Sequence, residues 1–223
     1  MPLELDHFLT FVIPEFKEKE KLEKAGLILS PPVTHLGQGT SSQTIFFKEN
    51  ALEWLWLNDE AEAKNSPLNL FRRAYWQVTD SCPFGIGLRG TVNDFNLGDY
   101  ELYEPKHDSS QRIWIHPVDR DYPMLPLVYI VEMQYPGPGR QWWSETRFKS
   151  QEMYKDCFNP YPCITRIKLS IPHPIPDLGM PAEIEVVKGD SFKAEVYVID
   201  LPETIDVSEH VKLISDDYDT VAT

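Results

Sequence analysis

The chain has 223 residues, of which 21 are basic and 35 acidic, so its formal net charge is −14. A surface this acidic repels nucleic-acid backbones and anionic lipids, which excludes both as expected partners. Hydrophobic residues make up 42% and aromatic residues 12%, which indicates a folded chain. The three cysteines lack Cys-x-x-Cys spacing and no apolar run approaches about 18 residues, so we expect a cytoplasmic protein with reduced thiols and no membrane span.

The first sixty residues predict a strand, a helix and three more strands. Residues 5–13 are almost wholly apolar, which is typical of a strand buried on both faces. The charged segment KEKEKLEKA, ended by Gly26, predicts a short surface helix. A short strand is predicted at 27–29. After the glycine-rich turn HLGQGTSS, the segments QTIFFKEN and ALEWLWLND predict a β-hairpin.

A similar order of elements follows a connecting helical segment at 61–83. The segments FGIGLRG, RIWIHPV and PLVYIVEMQYPG predict strands, with a helix or loop region after the first of them. A clean second strand is missing, so the repeat is approximate. The pattern predicts one βαβββ module at 3–60 and a second at 84–137.

The C-terminal third predicts a helix at 140–156 and then several strands. The strands AEIEVVKGD and FKAEVYVID are split by KGDS, which is typical of a β-hairpin. We expect residues 138–202 to supply a helix and strands that complete the sheet, and 203–223 to be an acidic tail. The predicted fold class is α+β, with two βαβββ modules forming an open, curled mixed β-sheet barrel around a cavity and a C-terminal β-hairpin extension.

These segments, taken in order, carry a family resemblance over about residues 3–171. The pieces LDHFLTFV, HLGQGT, ALEWLWL, IVEMQYPG and ITRIKLSI resemble the vicinal oxygen chelate superfamily, and more narrowly its glyoxalase-like domain family. The resemblance implies that the first and fourth strands of each module lie side by side and each point one metal ligand inward. It implies His7, Glu53 and Glu132 as ligands, while FGIGLRG offers glycine at the remaining place.

Glu53 and Glu132 also stand out without the resemblance. Each shares a strand face with aliphatic residues, Glu53 with Leu55 and Leu57. A carboxylate there is costly unless it is paired, coordinated or protonated, or unless it reaches water at a strand end or edge. One histidine and two carboxylates suit Fe, Mn, Ni or Zn. Such an ion would polarise a carbonyl or enediol oxygen while Glu53 or Glu132 moves a proton as a catalytic carboxylate.

Arg89, Trp114 and His116 are the predicted substrate-binding residues. Arg89 could bind an anionic substrate or pair with one of the many acidic side chains. Trp114 could line the cavity or belong to the core, and His116 could reach the cavity or end its strand. His35 is predicted to shape the glycine-rich turn.

Gly85 and Gly87 alternate on one face of FGIGLRG. Two such glycines favour either an open cavity or close packing of an aromatic side chain from the other module.

Three functions stay open at this point. The first is a metal-dependent lyase, isomerase or dioxygenase acting on a small vicinal-oxygen substrate. The second is a metal-free module that binds a small molecule in the same cavity. The third is an interaction domain without a small-molecule site. Both a monomer and a homodimer are compatible with the sequence.

Overall fold

The computed structural model describes residues 3–12, 18–68, 70–90, 100–106, 111–132 and 152–216. The chain divides into two compact units. Unit 1 comprises Met1–Glu15, Pro32–Thr44 and Leu52–Pro136, and unit 2 comprises Phe16–Pro31, Ile45–Ala51 and Gly137–Thr223. Among the described residues, no helix has the length and apolar character needed to cross a bilayer.

Strands dominate both units. The elements of the first half are β1 (Glu4–Phe11), α1 (Lys19–Lys24), β2 (Val33–His35), β3 (Thr40–Phe46), β4 (Ala51–Leu57), α2 (Glu60–Lys64), α3 (Leu70–Ala74), α4 (Trp76–Thr79) and β5 (Phe84–Gly90). Those of the second half are β6 (Glu101–Tyr103), β7 (Ile113–Ile115), α5 (Val118–Asp121), β8 (Leu127–Glu132), a 3-10 turn (Glu152–Tyr154), β9 (Ile164–Ile171), β10 (Ile184–Lys188), β11 (Lys193–Ile199), β12 (Ile205–Asp206) and β13 (Val211–Asp216).

The first sheet has eight strands in the order β2-β3-β4-β1-β5-β8-β7-β6. β1 and β5 pair antiparallel at its centre, and β5 and β8 pair in parallel. Each set of four strands is therefore ordered in the same way outward from the centre, with its first and fourth strands adjacent, as the resemblance implies. The α+β fold class and the open, curled mixed sheet are confirmed. The short β6 supplies the second strand of the repeat, which the sequence pattern did not reveal.

One apolar cluster in the core of unit 1 forms on one face of this sheet. Strand residues of one parity pack together there and are joined by two leucines from the segment around α3. The buried members are Leu9, Phe11, Leu55, Leu68, Leu70, Ile115, Leu127, Tyr129 and Val131. The face is therefore apolar under α3, and the polar residues that share it stand beside this cluster.

The glycine-rich turn between β2 and β3 is fixed by a carboxylate from α2. Glu62 accepts hydrogen bonds from the backbone N–H groups of Gly37 (2.7 Å) and Gly39 (2.9 Å). Gly39 has a φ of +68°, and a Cβ on it would lie 2.2 Å from the carbonyl oxygen of Asp59, so only glycine fits. The contact holds His35, at the end of β2, in place beside β4.

A buried ion pair joins α3 to the second set of strands. Arg73 donates to the carbonyl oxygens of Cys82 (3.0 Å) and Leu125 (2.8 Å) and to Oδ1 of Asp119 (3.2 Å). Asp119 also accepts from the backbone N–H of Val128. Burial raises the pKa of Asp119 to about 7 and lowers that of Arg73. The hydrogen bonds of this pair all join residues of unit 1, so we assign it a structural role.

Unit 2 contains a separate five-stranded sheet in the order β10-β9-β11-β13-β12. Two predictions are therefore wrong: these strands do not complete the first sheet, and β10 and β11 do not form a hairpin. β9 lies between them, parallel to β10 and antiparallel to β11. β9 and β11 alternate aliphatic with polar residues over most of their length, and β10 is short, so the residue pattern does not reveal which strands are neighbours.

The predicted acidic tail also differs from the structure in its first half. β13 pairs in parallel with β11, and β12 pairs with β13, so residues 205–206 and 211–216 belong to the sheet. Val211 and Leu213 are almost fully buried and explain this order. The predicted helix at 140–156 overlaps the described residues only at 152–156, where a 3-10 turn forms.

Two buried asparagines tie the early segments of unit 2 to its later ones. The side-chain amide of Asn50 donates to the carbonyl oxygen of Ile164 (2.9 Å) and accepts from its N–H (2.8 Å). Asn159 makes the same pair of bonds with Ile28, at 2.9 and 2.8 Å. Because an amide offers one donor and one acceptor side by side, each asparagine replaces one residue of a neighbouring strand.

Candidate functional site

His7 stands at the centre of a polar cluster on the core face of the first sheet. Its Nδ1 lies 2.7 Å from Oδ1 of Asp6, and its Nε2 contacts the hydroxyl of Tyr129. An ionised carboxylate only accepts hydrogen bonds, so Asp6 favours the tautomer in which Nδ1 carries the proton. Nε2 is then an acceptor, and the Tyr129 hydroxyl donates to it.

A register shift in β1 brings Asp6 and His7 together. Leu5 pairs with Leu88 and His7 with Gly87, so Asp6 is an extra residue in β1 at this point. Neighbouring side chains on a regular strand point to opposite faces. The irregularity re-aims one of them, as bulges beside functional sites do. Asp6 is almost fully buried, at 1% exposure, while the His7 side chain keeps 17% of its surface exposed.

Glu53, on the neighbouring β4, lies between two imidazoles. Its Oε2 is 3.6 Å from Nε2 of His7, and its Oε1 is 3.8 Å from Nε2 of His35. The Glu53 side chain is 15% exposed and that of His35 is 12% exposed, so the carboxylate is largely shielded from water but still accessible. His35 also contacts the hydroxyls of Thr40 and Ser42, at 3.2 and 3.3 Å. It thus does more than shape its turn.

The glycines of β5 give room to side chains of β1. A Cβ on Gly87 would lie 2.8 Å from Cε1 of His7 and 3.1 Å from Cε2 of Tyr129. A Cβ on Gly85 would lie 2.6 Å from Cγ of Leu9. Of the two alternatives that the sequence left open, close packing from the other module is the one observed.

Glu132 does not join His7 and Glu53. It follows Tyr129 by three residues in β8, so the two side chains point to opposite faces of the sheet. Its Oε2 accepts a hydrogen bond from Nε1 of Trp114 (2.9 Å) and lies 3.3 Å from an Arg112 nitrogen. In the part of the chain that the structure describes, no three His, Cys, Asp or Glu side chains are placed to share one metal ion.

The predicted substrate-binding residues divide between the two faces. Arg89 follows Gly87 by two residues and shares the His7 face, where its guanidinium pairs with Oε2 of Glu4 at 3.0 Å. Trp114 lies on the other face with Glu132. His116 follows β7 and packs its ring against Tyr100, with centroids 5.0 Å apart, and burial lowers its pKa.

Tyr129, Asp6 and His35 are the cluster members that the sequence did not indicate as site residues. Tyr129 stands on the fourth strand of its module, where the resemblance implied an inward-pointing group, but at the opposite parity from Glu132. Its place beside Gly87 is set by the pairing of β5 with β8, which the sequence does not reveal. The register shift that places Asp6 beside His7 cannot be recognised from the residue pattern of β1.

The arrangement offers several groups that can hold or move a proton. Asp6, His7 and Tyr129 form a continuous hydrogen-bonded chain. Glu53 adds a carboxylate within 4 Å of the imidazole. The hydrogen-bonded chain and Glu53 share a sheet face with an apolar cluster. The cluster partly excludes water from these groups, which favours proton transfer.

No protein family and no curated protein matches the chain. A solved hypothetical protein from Staphylococcus aureus is similar, with a TM-score of 0.59 and 11% identity over 96% of this chain and 99% of that one. At this identity, the similarity extends to the fold alone.

Two other similar structures have TM-scores too low to support a shared function. A hypothetical protein from Bacillus halodurans has a TM-score of 0.41 and 13% identity over 61% of this chain and 99% of that one. Methylmalonyl-CoA epimerase from Mycobacterium tuberculosis has a TM-score of 0.39 and 18% identity over 60% of this chain and 88% of that one.

Proposed function

We propose that the first sheet carries a small-molecule site at Asp6, His7, Glu53 and Tyr129, and that this site catalyses proton transfer on a small substrate with neighbouring oxygen atoms. The reaction class is a lyase or isomerase of glyoxalase-like type. The observation that carries the proposal is the position of Glu53 Oε2, 3.6 Å from an imidazole nitrogen that already contacts the Tyr129 hydroxyl.

Each group has a role that follows from its chemistry. Glu53 takes the proton from the carbon beside a carbonyl, and the C–H electron pair moves into the new C=C bond of an enediolate. The Tyr129 hydroxyl turns from Nε2 of His7 to the substrate and donates a hydrogen bond to the oxygen that gains charge. Glu53 passes the proton to the freed Nε2 of His7, 3.6 Å away, and His7, held by Asp6, returns it to the neighbouring carbon or oxygen. The sequence is redox-neutral and needs no co-reactant.

The predicted divalent ion, Fe, Mn, Ni or Zn, has two candidate ligands here, His7 and Glu53. The described residues do not fit the predicted three-ligand set because Glu132 points to the other face. Catalytic sites usually supply three protein ligands. No step above is therefore routed through an ion, and Glu53 and His7 act directly.

A metal-free module that binds a small molecule without converting it remains the second candidate. It is favoured by one observation: both ring nitrogens of His7 already have partners within the protein. In that case Arg89, on the same face, would bind an anionic group of the ligand after displacing Glu4.

Deuterium exchange tests the proposal without knowledge of the product. We would incubate the protein with small 2-hydroxy and 2-oxo carbonyl compounds in D2O and follow the loss of the C–H signal by NMR. We expect exchange by the wild type and a loss of about 100-fold or more in Glu53→Gln and His7→Gln. Glu132→Gln is the matched control and should exchange normally. Binding without exchange would support the second candidate instead.

Metal titration distinguishes a metal-dependent mechanism from one in which Glu53 and His7 act directly. The melting temperature would be measured with Fe(II), Mn(II), Ni(II) or Zn(II) for the wild type, Glu53→Gln and Glu132→Gln. We expect the three proteins to respond alike. A stabilisation that Glu53→Gln alone abolishes would restore the metal hypothesis, since a bound ion stabilises the folded state by mass action.

A further inference from the structure

His35 belongs to the polar cluster, but the proposed mechanism gives it no role. Its Nε2 lies 3.8 Å from Oε1 of Glu53 and 3.3 Å from Oγ of Ser42, and its Nδ1 lies 3.2 Å from Oγ1 of Thr40. An ionised carboxylate only accepts hydrogen bonds, so Glu53 favours the tautomer of His35 in which Nε2 carries the proton. Nδ1 is then an acceptor, and the Thr40 hydroxyl donates to it.

The two imidazoles beside Glu53 therefore present different groups to its two oxygen atoms. His35 offers an N–H to Oε1, whereas Nε2 of His7, 3.6 Å from Oε2, is an acceptor in the tautomer that Asp6 favours. The 3.8 Å separation from His35 is longer than a hydrogen bond, so this attraction is electrostatic. The N–H stabilises negative charge on Oε1, and the lone pair of His7 does not stabilise it on Oε2. Oε1 is thus the anchored oxygen, and Oε2 is left to take a proton.

The segment that follows Glu53 in the chain also fixes the turn that follows His35. Two backbone N–H groups just after β4 donate to the carbonyl oxygen of Gly39, at 3.0 and 3.1 Å. From the first turn of α2, Glu62 accepts hydrogen bonds from two N–H groups of the same turn. One short segment, 53–62, therefore carries the carboxylate and holds the turn that carries the imidazole, so the distance between Glu53 and His35 is set locally.

We propose that His35 is a positioning residue, which holds Oε1 of Glu53 so that Oε2 takes the proton from the substrate. This role rests on the proposed function, because it assigns a task to each oxygen of the proposed base. His35 acts through Glu53 and not on the substrate, so its loss should lower turnover more than substrate binding. A shift of a reacting group by about 1 Å is enough to lower a rate about 100-fold.

Two substitutions at residue 35 separate positioning from packing. His35→Phe keeps a ring and loses both nitrogen atoms, while His35→Gln keeps an N–H donor. In the deuterium-exchange assay we expect His35→Phe to lower kcat about tenfold or more, with KM changed by less than about twofold. His35→Gln should recover part of the lost kcat. Equal rates in the two variants, or a rise in KM without a fall in kcat, would overturn the proposal.

A histidine-selective NMR spectrum at fixed pH tests the contact without any substrate. Glu53→Gln should move the ring signals of both His35 and His7. Glu132→Gln, on the other face of the sheet, should move neither. If the wild type exchanges no deuterium, the proposed function fails together with this role of His35. If it exchanges deuterium but the His35 signals do not respond to Glu53→Gln, only the role of His35 fails.

Glu62→Ala tests the support that α2 gives to the turn. It should move the His35 ring signals and lower kcat, by a smaller factor than His35→Phe. Glu60→Ala is the matched control because Glu60 lies in the same helix and accepts from the Tyr75 hydroxyl instead of from the turn. A melting temperature close to that of the wild type shows that each variant is folded. Equal changes in Glu60→Ala and Glu62→Ala would overturn the role given to Glu62.

Discussion

The imidazole of His7 lies in the space that a side chain at residue 87 would need. A Cβ on Gly87 would stand 2.8 Å from Cε1 and 2.9 Å from Nδ1 of His7. The glycine where the resemblance would place another ligand is therefore what lets the histidine of the other module lie against β5. The two modules share one site here because Gly87, in the second module, has no side chain.

Replacing Gly87 by alanine should displace the His7 ring. We expect Gly87→Ala to lower the free energy of unfolding by about 1–3 kcal/mol, as overpacking does, and to shift the NMR signals of the His7 ring. The measurements are urea denaturation and a histidine-selective NMR spectrum. Gly85→Ala is the matched variant because its new Cβ would meet Leu9 instead. It should cost a similar amount and leave the His7 signals in place.

Removing the Tyr129 hydroxyl should affect the chemistry more than the fold. Tyr129→Phe keeps the ring in the core cluster and loses the contact with His7. We expect a stability loss of about 0.5–1.5 kcal/mol and a much larger loss in the deuterium exchange rate. Tyr122→Phe, at an exposed tyrosine, is the control. Equal exchange in all three proteins would remove Tyr129 from the proposed mechanism.

The buried Asp119 predicts a pH dependence of stability. Its pKa is raised from 3.8 to about 7 by burial, so the folded state holds a proton that the unfolded state releases. The stability it contributes is full below about pH 3.8 and is lost as the pH rises through about 7. The free energy of unfolding from urea titrations should fall over this window with a slope of up to about 1.4 kcal/mol per pH unit.

Asp119→Asn should flatten that slope, because an amide does not titrate. The exposed Asp121, in the same helix α5, gives the control Asp121→Asn, which should keep the wild-type slope. A slope that persists in Asp119→Asn would assign the dependence to another group.

We expect replacement of Asn50 to be among the most destabilising changes at a polar residue of unit 2. Asn50→Ala leaves both backbone groups of buried Ile164 without these partners, and we expect a loss of about 1–3 kcal/mol. Asn65→Ala also removes a side-chain hydrogen bond to a backbone carbonyl, but at an exposed position. It should change stability by less than about 0.5 kcal/mol. Chemical denaturation of both variants tests whether the paired hydrogen bonds of Asn50 stabilise the fold.

The first sheet could be predicted because its central strands are six to eight residues long and rich in apolar residues. β1, β4, β5 and β8 each show this pattern, and their order follows from the repeated module. β6 has three residues, two of them exposed, and so leaves no such pattern. In the second sheet β9 and β11 largely alternate, and alternation indicates which face is buried without indicating which strand is the neighbour.

The site could be predicted at His7 and Glu53, which stand on adjacent strands and on one face. Glu132 shows the limit of that reasoning. Its polar character in an apolar strand is real, and the structure explains it through Trp114 and Arg112 on the other face. The register of β8 against β5 decides on which face of the sheet Glu132 lies. Register is set by tertiary pairing, so the residue pattern of β8 alone does not reveal it.

The paired hydrogen bonds of Asn50 and Asn159, together with the contacts of α1, have a consequence for the order of folding during synthesis. Lys21 donates to the carbonyl oxygen of Asp206, 185 residues later, and Ile28 pairs with Asn159, 131 residues later. The described strands of the first sheet end at residue 132, while these early segments of unit 2 wait for the last strands to leave the ribosome. Leu22, which is fully buried in the folded protein, therefore reaches its native environment only after these late segments have been synthesised.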